Sequence, residues 1–146
     1  MKSFFSILEQ RVRQSGSILC VGLDPHKDEL KQVNPAGVMN FCSRIVKTTA
    51  NHAAAFKPNA AFFELHGADG WRTLKDVIKL IREESDPLNA NIPIILDAKR
   101  GDIASSAEGY AQSAFKGLGV DAITLNPYLG RDSIEPFLKH PGKGVF

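Results

Sequence analysis

The stretch IPIILDAKRGDI, residues 92–103, decides the fold because it joins a continuous apolar run to a cluster of charges. Its first part does not alternate between apolar and polar residues, which is typical of a strand covered on both faces. Strands of this kind belong to parallel sheets that are packed against helices. We therefore predict a buried parallel strand over 92–99, with Asp97 and Lys99 near its carboxyl end.

Outward from this stretch, strands and helices alternate along the chain. Short apolar runs predict further strands at 17–24, 53–59 and 121–126, and the final Gly144-Val145-Phe146 is typical of the opening of another. Apolar residues at helical spacing predict helices at 3–14, 36–51, 68–84, 103–117 and 131–139. Alternation of this kind indicates a parallel sheet, because each parallel crossover needs a connection long enough for a helix.

Two parallel architectures fit this order: an open doubly wound sheet and a (β/α)8 barrel. Three of the predicted strands end in polar residues, namely Asp24, then Lys57 with Asn59, then Asp97 with Lys99. In a barrel these carboxyl ends converge on one mouth, where active sites lie. An open sheet would favour a glycine-rich first turn, but the turn here reads LDPHKDE. The sequence therefore favours the barrel, which belongs to the α/β class.

The length of the chain sets how much of a barrel it can form. A barrel of ~250 residues uses ~31 residues for each of its eight units. The chain has 146 residues, and its predicted strands begin at about that spacing. We therefore expect residues 1–146 to form the amino-terminal part of a single barrel domain, incomplete after the first four to five βα units.

Composition excludes several classes of function. The chain has 18 Lys and Arg against 16 Asp and Glu, a net charge of +2, and these charges are interspersed. Such a balance offers no basic face for nucleic acid or an anionic membrane, and no apolar run is long enough to span a membrane. Cys20 and Cys42 have no metal-binding spacing, so we expect buried free thiols and no metal site. These features predict a soluble, cytoplasmic protein.

The charged residues around the central strand form a candidate catalytic cluster. Because strand side chains alternate between faces, Asp97 and Lys99 point the same way, and Lys57 ends the neighbouring parallel strand. Asp102 follows at the entrance to the next helix. Together they predict an alternating Lys–Asp–Lys–Asp array, in which opposite charges keep one another ionised. A lysine held as an ammonium between carboxylates is a fixed proton donor.

Structural explanations of the same residues stay open at this point. Asp102 is also a credible N-cap for the following helix, and Asp24 before Pro25 fits ordinary turn chemistry. A purely structural salt bridge between Asp97 and Lys99 is also open, although two charges on the same side at the end of an apolar strand favour a functional pair. The triplet Arg100-Gly101-Asp102 is the tripeptide that adhesion proteins present, although it joins a predicted strand directly to a helix.

Four longer segments resemble orotidine 5′-phosphate decarboxylase, in particular the bacterial-type branch with the signature DAKRGDI. The matching segments are LCVGLDPH (19–26), FKPNAAFFELHGADG (56–70), ILDAKRGDIASSAEGYAQSAF (95–115) and DAITLNPYLGRDS (121–133). They cover most of the chain in the order found in that family. The resemblance implies a (β/α)8 TIM barrel that decarboxylates orotidine 5′-phosphate to UMP in pyrimidine biosynthesis without a cofactor.

The resemblance also implies roles for individual residues. Lys57, Asp97, Lys99 and Asp102 match the family's catalytic positions; Lys99 would be the proton donor, and Asp102 would serve the partner's site in a homodimer. Substrate-binding positions correspond to Asp24, at a ribose hydroxyl, and to Ile103 and Ser106, which would reach across the dimer interface. Ser106 is often Thr in the family, a change that keeps the hydroxyl.

Groups that bind the pyrimidine and the 5′-phosphate lie in later parts of the family's barrel. We therefore expect this chain alone to be inactive. Two alternatives follow: a related sugar-phosphate decarboxylase that shares D-x-K-x-x-D and uses Mg²⁺, and a non-catalytic fragment or binding module that presents Arg100-Gly101-Asp102.

Overall fold

A computed structural model of the chain describes residues 3–88 and 90–146. Its five strands are β1 (Cys20–Leu23), β2 (Ala55–Pro58), β3 (Ile95–Arg100), β4 (Ala122–Leu125) and β5 (Gly144–Val145). Parallel ladders join β1 to β2 and β3 to β4 to β5. Isolated parallel bridges, Phe56 with Ile94 and Asn59 with Asp97, connect β2 to β3. The spatial order thus follows the chain order, as in a (β/α)8 barrel, and the predicted strands are confirmed.

One helix precedes the first strand and the others lie between strands, as the apolar spacing predicts. They are α1 (Phe4–Ser15), α2 (Pro35–Thr49), α3 (Ala60–Glu64), α4 (Gly67–Ser85), α5 (Ala104–Gln112) and α6 (Glu135–Leu138). The α5 helix continues into a wider π-helical segment, Ser113–Leu118, so the prediction of a helix to residue 117 is confirmed. The short α3 helix was not predicted. Of the part of the chain that is described, no helix is long and apolar enough to cross a membrane.

The main core lies between the sheet and its helices. Alternate strand residues face this layer, among them Leu23, Phe56, Leu96 and Ile123, all fully or almost fully buried. They pack against apolar residues of the α2 and α4 helices, and α4 is the helix whose predicted apolar face is clearest. Burial of this layer fixes which face of each strand is turned away from the helices. The side chains of that second face are therefore the ones that line the barrel interior.

The α1 helix closes the amino-terminal end of this interior. Phe4 is buried in a small cluster with Ala55, Ile95 and Ala122, whose neighbours in the strands face the helix layer. A Cβ at Gly144 would lie only 2.5 Å from the Phe4 ring, so close approach requires glycine on β5. With this end filled by side chains, the other end of the strands is where a ligand can enter.

Arg11 fastens α1 to the connection between α2 and β2. Its buried guanidinium donates to the backbone oxygens of Ala50, Asn51 and Ala53 at 2.7–3.0 Å. These bonds satisfy carbonyls at the end of α2 and hold the start of β2 in place.

One burial prediction is wrong. Cys42 is fully buried as expected, but Cys20 is exposed. Cys20 and Gly22 occupy the face of β1 opposite the buried Leu23, toward the barrel interior, and β1 is an edge strand within the described residues. The apolar run around Cys20 indicated the strand correctly, but it could not indicate how much of the interior surrounds it.

Candidate active site

Asp97 is the centre of the charged cluster at the carboxyl ends of the strands. The Lys57 ammonium donates to its Oδ2 at 2.7 Å, and the Lys99 ammonium donates to its Oδ1 at 2.6 Å. A third donor, the Thr124 hydroxyl from β4, reaches Oδ1 at 2.9 Å. The Asp97 side chain is 9% exposed, whereas that of Lys99 is 68% exposed. The predicted Lys57–Asp97–Lys99 arrangement therefore exists in the structure, with Lys99 on its open side.

The backbone at Lys99 departs from a regular strand. Lys99 has φ of 47°, the only positive φ of a non-glycine residue in the described part of the chain. The register between β3 and β4 shifts between Leu96 and Arg100, so Lys99 lies in a bulge. A residue held in this region costs about 1–3 kcal/mol and persists only where its surroundings impose it. The pairing of Asp97 with Lys99 is thus produced by a bulge rather than by regular strand alternation.

The cluster keeps Asp97 ionised. Burial alone would raise the pKa of Asp97, but hydrogen bonds from Lys57, Lys99 and Thr124 together with the Lys57 charge lower this pKa to about 2. Burial likewise acts to lower the pKa of Lys57, yet the bond to Asp97 and the charges of Asp97 and Asp24 leave that pKa raised. The Asp97–Lys57 pair is therefore fully charged throughout the physiological range.

Asp24 lies beside the cluster at the end of β1. Its Oδ1 accepts a hydrogen bond of 2.8 Å from the side-chain amide of Asn59. The Asn59 Oδ1 in turn accepts from the backbone N–H of Ala61, at the start of α3. Sequence reasoning noted Asn59 only as a polar strand end and gave it no role. In the structure it links the orientation of Asp24 to the α3 helix.

Asp102, Ile103 and Ser106 lie at the beginning of α5. The N-cap interpretation of Asp102 is wrong, because the N-cap position is occupied by Ile103 and the Asp102 carboxylate, among the described hydrogen bonds, accepts only from the adjacent Ile103 N–H, at 2.7 Å. Ile103 is 67% exposed, and Ser106 is exposed as well. Among residues 3–88 and 90–146, no hydrogen bond joins these three side chains to Asp97 or its lysines. Within this single chain the structure therefore does not bring Asp102 into the array.

The Arg-Gly-Asp triplet is fixed between elements. Arg100 forms an ion pair with Glu64 of α3, and its guanidinium lies 4.9 Å from the centroid of the Tyr110 ring on α5. A Cβ at Gly101 would lie 2.4 Å from the backbone oxygen of Asn126, so the chain passes β4 too closely for any other residue. The triplet therefore lacks the flexible, exposed form that adhesion requires, and a binding module of this kind is not favoured.

The chemistry available to this site is proton transfer next to a fixed negative charge. An ammonium carries three donors, and within the described residues Lys99 uses one of them on Asp97. The same part of the chain contains no group of three or more His, Cys, Asp or Glu residues that could hold a metal ion. That no cofactor takes part stays a prediction.

Comparison with known proteins shows that the chain is similar to one family of enzymes over most of its length. A model of the orotidine 5′-phosphate decarboxylase / HUMPS family matches residues 17–145. An orotidine 5′-phosphate decarboxylase of Roseiflexus castenholzii is 46% identical over 99% of this chain and 51% of its own length. The corresponding protein of Natronomonas pharaonis is 44% identical over 99% of this chain and 52% of its own length.

Solved structures agree on the fold. Leishmania donovani OMP decarboxylase superposes with a TM-score of 0.84 at 46% identity, over 99% of this chain and 52% of that one. Leishmania donovani UMP synthase gives a TM-score of 0.86 at 46% identity, over all of this chain and 30% of that one. The described strands thus form part of a (β/α)8 barrel.

The parallel strands and the agreement with solved structures place the chain in the class of (β/α)8-barrel proteins, and it carries a lysine–aspartate cluster at the carboxyl ends of its strands. Within that class, the chain belongs to the orotidine 5′-phosphate decarboxylase / HUMPS family. It spans about half the length of the curated relatives it matches.

Proposed function

We propose that the product of the whole reading frame encoding this chain, called the complete protein below, decarboxylates orotidine 5′-phosphate to UMP and CO2. The observation that carries the proposal is the buried Asp97 carboxylate held between two ammonium groups, one of them exposed. Membership of the family and the names of the relatives at 44–46% identity support the choice of substrate. The segment DAKRGDI at 97–103 further suggests the bacterial-type branch.

The chemical step needs a group beside the carboxylate that leaves and a proton for the carbon that it leaves. The bond between carbon 6 and the carboxylate breaks, CO2 departs, and the electron pair stays on carbon 6. Lys99 then transfers a proton from its ammonium to carbon 6 and recovers one from solvent. Asp97 lies beside the departing carboxylate and holds the Lys99 ammonium in place, so stabilising charge is fixed before the reaction begins.

Lys57 and Asp24 are assigned to the ribose. Lys57 bridges Asp97 and the sugar, since only one of its three donors is used on Asp97 within the described residues. Asp24 presents its Oδ2 to a ribose hydroxyl while Asn59 holds its Oδ1. Groups for the pyrimidine and the phosphate are assigned to barrel elements beyond the fifth strand, and we expect residues 1–146 alone to be inactive.

The homodimer remains part of the proposal because Asp102 does not reach the array within one chain. Its position at the start of α5, next to the exposed side chains of Ile103 and Ser106, supports a role at a partner's mouth. Mixed subunits test this directly. K99A and D102A proteins, each inactive alone, are expected to regain about a quarter of wild-type activity when mixed after unfolding and refolding. Random pairing makes half of the dimers mixed, and each mixed dimer has one intact site.

Failure of the mixed subunits to regain activity would contradict the shared site. The matched control mixes K99A with D97N, which lie in the same site of one subunit. That mixture is expected to stay inactive, because Asp97 and Lys99 belong to one chain and the mixed dimer then contains no intact site.

The substrate assignment is tested with the complete protein, orotidine 5′-phosphate and a chelator. We expect UMP and CO2 to form at the same rate with and without EDTA. A protein that instead requires Mg²⁺ and decarboxylates a keto-sugar phosphate would be the alternative enzyme of this family. Absence of turnover with either substrate would contradict decarboxylation itself.

A further inference from the structure

Thr124 of β4 lies where the strand passes the bulge in β3. Its hydroxyl oxygen accepts hydrogen bonds from the backbone N–H groups of Ala98 at 3.0 Å and Lys99 at 2.9 Å. The same hydroxyl donates to Asp97 Oδ1 at 2.9 Å. One small side chain thus contacts three consecutive residues of the strand that carries the candidate proton donor.

The hydrogen-bonding capacity of a hydroxyl fixes the direction of these bonds. A threonine hydroxyl has two acceptor lone pairs and one proton. Both lone pairs are used by the two backbone N–H groups, so the proton is directed at the Asp97 carboxylate. This leaves Thr124 fully satisfied in one arrangement, which sets the carboxylate and the backbone of the bulge relative to each other.

The bulge needs such a partner because it interrupts the ladder. Regular pairing of β3 with β4 ends at Leu96 and resumes at Arg100, whose backbone oxygen accepts from the Asn126 N–H at 2.7 Å. Between these points the amides of Ala98 and Lys99 have no backbone acceptor on β4 among the described hydrogen bonds. The Thr124 hydroxyl takes the place of that acceptor and holds Lys99 at its left-handed φ of 47°.

We propose that Thr124 is a positioning residue that sets the Lys99 ammonium and the Asp97 carboxylate in their relative orientation. The kinetic part of this inference rests on the proposed decarboxylase function, whereas the geometric part does not. Thr124 acts through Asp97 and Lys99, since its three bonds are all taken up by them and by Ala98.

The test replaces the hydroxyl and keeps the bulk. In the complete protein, T124V removes the acceptor of two amides and one donor to a carboxylate, and kcat is expected to fall about ten- to a hundred-fold. KM for orotidine 5′-phosphate is expected to change less than about threefold, because Asp24 and Lys57 keep their own partners. T124S restores the hydroxyl, and its kcat is expected within about threefold of the wild-type value.

A matched control separates positioning from a general loss of stability. Thr73 is a buried threonine, whereas Thr124 is half-buried, and the Thr73 hydroxyl donates to the backbone oxygen of Asp69 within α4. T73V removes one hydrogen bond of a buried threonine on the outer layer and is expected to leave kcat unchanged. If T124V does not fold, T124A carries the same expectations, since it removes the hydroxyl without adding an apolar group.

Two readouts keep the inference separate from the proposed function. If the wild-type complete protein forms no UMP, the function is contradicted, and a crystal structure of T124V alone decides the geometric inference. That structure is expected to show Lys99 leaving the left-handed region and its ammonium moving away from Asp97. Unchanged Lys99 geometry, an unchanged kcat in T124V, or a T124S protein as impaired as T124V would each overturn the role assigned to Thr124.

Discussion

Two aspartates at opposite ends of the β3–β4 pair have similar partners and different surroundings. At the carboxyl end, Asp97 binds Lys57, Lys99 and the Thr124 hydroxyl. Toward the amino end, Asp121 accepts from Arg82 at 2.7 Å and from the Ile94 N–H at 2.9 Å. Each carboxylate thus combines a cation with a neutral donor, so the charge pattern alone does not distinguish a catalytic cluster from a structural one.

The cations around Asp121 are occupied with the backbone. Arg82 also donates to the carbonyls of Ile92 and Gly119 at 3.2 Å each. Lys143, 4.0 Å from Asp121, donates to the Val120 carbonyl at 2.6 Å. Burial, together with the Arg82 charge, lowers the pKa of Lys143 despite the opposing charge of Asp121. These cations hold strand ends and turns together.

The cations around Asp97 keep donors for a ligand. The ammonium groups of Lys57 and Lys99 make no hydrogen bond other than those to Asp97 among the described contacts, and Lys99 lies in a strained backbone conformation. Lysine rather than arginine supplies both charges, and an ammonium can give up a proton where a guanidinium cannot. Unused donors, exposure and strain, rather than charge, distinguish the Asp97 end of the strands from the Asp121 end.

The largest expected difference between the two ends is in catalysis. In the complete protein, D97N is expected to lower kcat/KM for orotidine 5′-phosphate at least about a thousandfold, because it removes the charge that orients Lys99 and faces the departing carboxylate. D121N is expected to keep kcat/KM within about threefold. Comparable losses in steady-state assays of the two variants would remove the distinction between the ends.

The free energy of unfolding is expected to depend on the Asp121 end of the strands, where catalysis does not. R82M breaks the ion pair with Asp121 and leaves the carbonyls of Ile92 and Gly119 without their donor, so the free energy of unfolding is expected to fall by about 3 kcal/mol. K79M changes a highly exposed lysine on the same helix, where a surface pair with Glu83 contributes little, and serves as the control. Urea unfolding of the complete protein measures both, and equal midpoints for R82M and wild type would contradict a structural role.

Acid is expected to lower the free energy of unfolding by less than R82M does. Folding lowers the pKa of Asp97 from 3.8 to about 2, so the unfolded chain binds a proton there more readily than the folded one. The stability contributed by the ionised Asp97 is therefore complete above about pH 5 and is lost as the pH falls toward 2. The loss amounts to about 1 kcal/mol by pH 3 and about 2 kcal/mol by pH 2.

Comparison with D97N isolates this contribution, since the other carboxylates are common to both proteins. Urea unfolding between pH 6 and pH 3 is expected to show a steeper decline for wild type by about 1 kcal/mol. Parallel pH dependences in the two proteins would show that Asp97 has the same proton affinity in the folded and unfolded chain.

The fold followed from local patterns in the sequence. Continuous apolar runs with polar ends predicted the strands, and apolar spacing predicted the helices other than the short α3. Strand alternation predicted Asp97 and Lys99 together with Lys57 beside them, and the structure has this arrangement, although the bulge at Lys99 rather than alternation produces the Asp97–Lys99 pairing. Knowing which strands are neighbours was enough to predict which of these three side chains lie close together.

Features that depend on close three-dimensional fit were not predictable in the same way. The bulge at Lys99 arises from a register shift between two strands that are far apart in sequence, and no pattern in DAKRG predicts this bulge. A position for Thr124 near the site could have been suspected, because Thr124 shares a strand face with Ala122 and lies on the strand next to the one that carries Asp97. Its three hydrogen bonds could not have been predicted. Exposure of Cys20 depends on which strands flank β1, which local sequence does not encode.

The central claim is that Lys99 is the proton donor of a decarboxylation centred on Asp97. Its most direct test is the rate of UMP formation from orotidine 5′-phosphate by the complete protein with K99A, measured beside wild type and K75A. Lys75 is an exposed lysine on α4, and its replacement is expected to leave the site unchanged. We expect at least about a thousandfold loss in K99A with unchanged folding and full activity in K75A. Wild-type rates in a folded K99A protein would contradict it.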